Sequence, residues 1–239
     1  MTKPAYRIAI TTCDKYLPVL RPMAWLLQKY WDPLPDVVIG GYTPPDFELP
    51  ANFSFHSIGK MEDFPVNRWS NGLIKFLTEI PDEVVVLLLE DMWPVRSVHS
   101  DAVRILYDYM NQFRYVAKMD LTADRLYAHG MVSYGFVSYL DLVKSMPGSP
   151  YHLSMMPGLW RVEHLLAALI PGESPWDVEL QGTPRLSHNQ DVIVLGTRQW
   201  PMRNTLAFRG GDVGKLLLDE LHAGDVAEMR ELGLLEPWE

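Results

Sequence analysis

Two adjacent carboxylates, Glu90 and Asp91, close an unbroken run of Val and Leu at 84–89. A charge brought into apolar surroundings is costly unless it is paired or holds a metal, so acids at the end of such a run need a reason. Strand-end acids commonly bond loop backbone or cap the next helix. The chemical alternative is a divalent cation: hard Mg²⁺ or Mn²⁺ takes oxygen ligands, often one or two carboxylates together with substrate phosphates. A nucleotide diphosphate would supply those phosphates.

A second group of acids, Glu173, Asp177 and Glu179, lies within the segment ESPWDVE. Ser174 fits a helix N-cap, Pro175 the first helical position and Asp177 the capping-box position three residues after the cap. Capping accounts for Asp177 without catalysis. Glu173 and Glu179 are less fully explained by it, so one of the three is a candidate general base if it can reach the proton. The histidines (His56, His99, His129, His152, His164, His188, His222) show no zinc-like spacing, and the lone Cys13 rules out a Cys-rich site. Only His188, in RLSHNQD, is a weak candidate for a late metal ligand. The absence of a P-loop, of Gly-x-Gly-x-x-Gly and of Gly-x-Ser-x-Gly argues against P-loop kinases, dinucleotide oxidoreductases and α/β-hydrolases.

Positioning these groups requires strands that end where the acids begin. YRIAITT (6–12), DVVIGGY (36–42) and NFSFHSI (52–58) have the apolar and β-branched character of strands, with the polar turn CDKY after the first. LPVLRPMAWLLQKYW (17–31), WSNGLIKFLTEI (69–80) and DAVRILYDYMNQF (101–113) carry apolar residues at helical spacing, and Ser70 or Asn71 is placed near the second helix's N-cap. YVAKMDL (115–121) predicts a strand ending at Asp120, and VSYGFVSYL (132–140) another. The segment 157–180 predicts a helix with Trp160, Leu165, Leu166 and Leu169 inward, a stop at Pro171-Gly172, and a restart at Ser174. The tail predicts two short helices divided at Gly224.

Strands alternating with helices imply an α/β fold, a mostly parallel sheet flanked by helices, whose ligands bind beyond the carboxyl ends of the strands. Glu90 and Asp91 fall at that end. The 239 residues fit one domain, with 1–95 and 96–211 as its halves and 212–239 as a helical tail. A single cysteine and no long apolar N-terminal stretch predict a cytoplasmic protein, and no window reaches the roughly 18 to 20 apolar residues of a membrane span. A formal net charge of -9 gives no overall attraction to nucleic acid, though a local basic groove would still allow it.

Taken together, the motifs resemble a family of bacterial and phage glycosyltransferases of the GT-A, Rossmann-like fold, often found among capsule or O-antigen genes. TTCDKYLPVLRPMAWLLQKYW, WSNGLIKFLTEIPDEVVVLLLEDMW, PGLWRVEHLLAALIPGESPWDVE and WPMRNTLAFRGG carry the resemblance, in family order from residue 8 to about 211. It implies a nucleotide-sugar donor in the first half, an acceptor in the second, and sugar transfer to a hydroxyl of a saccharide or polysaccharide. Cys13, Asp14, Lys15 and Tyr16 would then lie beside the nucleotide. Glu90 and Asp91 would stand where such enzymes carry an Asp-any-Asp metal motif, with Asp91 the ligand for Mg²⁺ or Mn²⁺. This chain departs from that pattern in having Glu-Asp-Met. Arg203 and Arg209 would bind the diphosphate, and Glu173 or Asp177 would deprotonate the acceptor. Two other readings stand beside this one: a phage enzyme glycosylating hydroxymethylated pyrimidines in DNA, and a non-catalytic nucleotide-sugar-binding protein.

Overall fold

The computed structural model describes residues 4–123, 131–208 and 215–238; Arg209 and His129 lie outside them. The chain runs through β1 (Arg7–Thr11), a 3-10 turn, α1 (Leu20–Tyr30), β2 (Val37–Gly41) and β3 (Phe53–Ser57). Then follow α2 (Trp69–Glu79), β4 (Val84–Leu89), the short β5 (Met92–Pro94), α3 (Ser100–Gln112) and β6 (Val116–Asp120). The hairpin β7 (Met131–Val137) and β8 (Leu140–Ser145) precedes β9 (Gly158–Arg161), α4 (Val162–Ala168) and α5 (Pro175–His188). β10 (Ile193–Thr197), β11 (Asn204–Leu206) and α6 (Ala223–Glu231) complete it.

Among the described residues, nine strands form one sheet ordered β3-β2-β1-β4-β9-β6-β10-β8-β7. Only β8 and β9 run against the common direction, so the sheet is α/β and mostly parallel, as the sequence predicts. Its central strands are apolar on both sides because both sides are covered. Ile8, Ile10, Val86 and Leu88 pack in a layer that includes α1 and α3, whereas Ala9, Val85 and Leu87 pack in one that includes α2, α4 and α5.

Four local expectations are corrected. Gly158–Arg161 is a strand, not the start of a helix, because its backbone is paired on both sides, to β4 and to β6. A Cβ at Gly158 would lie 2.7 Å from Lys118 Cε and 3.1 Å from the Met119 carbonyl, so this close approach requires glycine. The segment 132–140 is not one strand: the chain turns at Ser138, whose φ is 52°, and returns as β8. Ser70 and Asn71 do not cap α2, whose N-cap is Arg68. They hold the 170–173 loop instead: Ser70 Oγ donates to the Ile170 carbonyl and accepts from Glu173 N–H, and Asn71 Oδ1 accepts from Gly172 N–H. Finally, Gly224 lies in the first turn of α6 rather than between two helices. This tail packs on the core, with Lys29 ion-paired to both Asp225 and Glu228. No helix among the described residues is long and apolar enough to cross a membrane.

Candidate functional site

β1 and β4 are parallel neighbours, with Thr11 opposite Leu89, so the loops that follow them emerge side by side at the carboxyl edge of the sheet. This brings Cys13–Tyr16 next to Glu90 and Asp91. Glu90 is buried, with 9 % of its surface exposed. Burial first, and the neighbouring Asp91 charge second, raise its carboxyl well above the usual range. Burial likewise pushes Asp91 up to about 6. No basic side chain among the described residues offsets either acid.

The neighbouring thiol and phenol groups are kept neutral. Burial, with Glu90's charge next, raises the Cys13 thiol to about 11, which makes it a poor nucleophile at neutral pH. Burial and then Glu90 and Asp91 lift Tyr16 to about 12; Tyr42 is also raised to about 12, mainly by burial. Asp14 is engaged by the loop after β2: its two oxygens accept from Thr43 N–H at 3.0 Å and Thr43 Oγ1 at 2.8 Å. Lys15 Nζ lies 5.4 Å from the Tyr16 ring centroid. The turn after β4 is fixed from the other side, where Ala207 N–H donates to the Asp91 carbonyl at 2.7 Å.

This donor set fits a divalent cation. Two carboxylates that burial drives toward protonation would both be relieved by one, with Asp91, the more exposed of the two, as ligand and Glu90 beside it. No group of three or more His, Cys, Asp or Glu with metal-site geometry occurs among the described residues, so water or substrate oxygens would complete the shell of such an ion. His188 ends α5, bonded through Nδ1 to the Pro184 carbonyl, away from the acid pair.

The acids of ESPWDVE are otherwise occupied. Both oxygens of Glu173 accept from Arg185, at 2.8 and 2.7 Å. Asp177 forms the expected capping box with Ser174, and those hydrogen bonds lower its pKa, which weakens it as a base. Glu179 accepts from Met155 N–H at 2.6 Å. Arg203 lies at the far end of the β5–β11 ribbon from Asp91, its guanidinium 4.8 Å from the Trp200 ring.

A charged pair that the sequence reading did not single out lies at the end of β6. Lys118 and Asp120 are both fully buried, Nζ 2.5 Å from Oδ1, and Nζ also donates to the Ser154 carbonyl at 2.8 Å. The register shift between β6 and β10 inserts Ala117, so that Lys118 and Asp120 share the face lined by Trp160. An i,i+2 Lys-Asp pair inside YVAKMDL was the signal available in sequence.

No protein family model and no curated protein matches the chain. Solved structures similar to it include S. aureus TarS 1-349, at 12% identity and a TM-score of 0.48, covering 81% of this chain and 58% of that one. The chain thus spans somewhat more than half the length of that structure. CMP:2-keto-3-deoxy-manno-octonic acid synthetase complexed with CTP follows at 11% and 0.45, covering 97% and 100%. Apo UDP-glucose pyrophosphorylase is at 6% and 0.44, covering 84% and 91%. At these identities and scores the likenesses carry nothing about substrate or reaction.

Proposed function

We propose that the chain is a glycosyltransferase of GT-A type, moving a sugar from a nucleotide-diphosphate donor to a hydroxyl of a saccharide acceptor. The observation that carries the reading is the pair of buried Glu90 and half-buried Asp91 at the carboxyl end of β4, beside the β1 loop and without a basic partner among the described residues. Asp91, with Glu90 beside it, would hold Mg²⁺ or Mn²⁺, which when bound offsets charge on the departing diphosphate. Lys15 and Tyr16 would flank the nucleotide, and Asp14, tied to Thr43, would fix the shape of that loop. Glu173 and Asp177 hold the loop before α5 in this reading, since their carboxylates are bound to Arg185 and Ser174.

Calorimetric titration of UDP, GDP, CDP and their sugars, with and without Mn²⁺, tests it on wild type and Asp91→Asn. Metal-dependent binding that the variant loses supports the reading. Absence of nucleotide binding, or equal binding by the variant, defeats it. Slow donor hydrolysis without acceptor separates an enzyme from a non-catalytic binder.

A further inference from the structure

A cavity of about 430 Å³ opens beyond the acid pair. Its place is set by the β5–β11 ribbon, which pairs Leu206 with Met92 and Asn204 with Pro94. At one end Ala207 N–H meets the Asp91 carbonyl; at the other Val95 N–H meets the Arg203 carbonyl. At ~3.4 Å per residue those ends lie roughly 13 Å apart. The cavity is at the Val95 end, walled also by Thr122 beyond β6 and by the 219–221 segment before α6. An ion seated on Asp91 therefore leaves it open.

We propose that this cavity is a saccharide-binding subsite. Its volume lies in the range of small-ligand sites, about 300 to 1,000 Å³. Its lining combines two guanidinium groups, Arg96 and Arg203, with two carboxylates, Asp219 and Glu220, and the Asn204 amide. A phosphate would meet the two acids, and an ammonium ion the two arginines. An apolar ligand would strip water from all four charges. A polyhydroxylated ligand suits such a wall because each hydroxyl both donates and accepts, while Trp200 offers carbon surface to its C–H groups.

The wall is built in advance. Trp200 adopts φ 46°, a left-handed conformation rare for a bulky residue, which persists where the surrounding structure holds it. The loop carrying it is fastened on several sides. Arg198 N–H and the Gln199 amide bond Asp141, His99 N–H donates to the Pro201 carbonyl, and Met202 N–H donates to the Leu121 carbonyl. Fixing the wall beforehand lowers the ordering cost of binding. That the saccharide is the sugar acceptor rests on the transferase reading; that the cavity takes a saccharide does not.

The test is saturation-transfer NMR of the whole chain with methyl glycosides of common hexoses and N-acetylhexosamines and with their disaccharides, without nucleotide or metal. Wild type is compared with Trp200→Gly, which tolerates the left-handed backbone, with the exposed-site Glu220→Ala, and with Asp91→Asn. The proposal expects at least one glycoside to bind, affinity to fall about tenfold or more in both cavity variants at retained thermal midpoints, and Asp91→Asn to bind as wild type. No glycoside binding, wild-type affinity in the cavity variants, or binding lost only with Asp91 overturns it. Failure of nucleotide titration alongside saccharide binding at the cavity would sink the transferase reading and leave the subsite standing.

Discussion

Replacing Asp91 by Asn should stabilise the metal-free chain at neutral pH. The Asp91 carboxyl is pushed up to about 6 when folded, from an ordinary value of 3.8, because burial disfavours its charge. The folded chain therefore keeps a proton that the unfolded chain has already released, and stability falls as pH rises through that window. At 1.36 kcal/mol per pKa unit, ionising Asp91 costs the folded state about 3 kcal/mol above pH ~6. Asn keeps the shape and removes that cost; it also removes one cause of Glu90's upward displacement. Urea unfolding in EDTA should show the variant more stable by up to about 3 kcal/mol near neutral pH, with the difference vanishing below pH ~4. Adding Mn²⁺ at about a thousandfold excess over its Kd should reverse the order, since that adds about 4.1 kcal/mol to wild type alone. A variant less stable than wild type in EDTA at neutral pH, or a difference independent of pH, would refute the reading of Asp91 as a half-buried acid that no described basic group offsets.

Lys118→Met strands Asp120 in the core and should cost about 3 to 5 kcal/mol, much of it restored by adding Asp120→Asn; chemical denaturation of the single and double variants decides. Ser70→Ala removes the hydroxyl that holds Ile170 and Glu173 and should cost about 1 to 3 kcal/mol; equal denaturation midpoints would show that loop to be held by other means. Gly40→Ala brings a Cβ to 2.5 Å from the Phe76 ring, so overpacking should lower stability by about 1 to 3 kcal/mol in the same assay. An unchanged value would mean that Phe76 can move aside.

The sequence by itself determined the elements whose patterns are local. VVVLLL has the length and composition of a strand covered on both sides, and Ser174-Pro175-Trp176-Asp177 those of a helix start, because burial on two faces and capping leave their marks within a few residues. It also placed Glu90 and Asp91 at the carboxyl edge of the sheet. Tertiary structure decided the rest. Gly158–Arg161 became a strand because β4 and β6 stand ready on either side, a pairing no local period encodes. Ser70 left the expected cap for a loop about a hundred residues away, and Arg185 reached back from α5 to claim Glu173. The absence, among the described residues, of a basic partner beside the acid pair, and the walls that bring Arg96, Trp200 and Glu220 around one cavity, are likewise products of chain segments far apart in sequence. Burial and partnership, which set the charge on a carboxylate, are properties of the packed chain, and residue spacing alone cannot contain them.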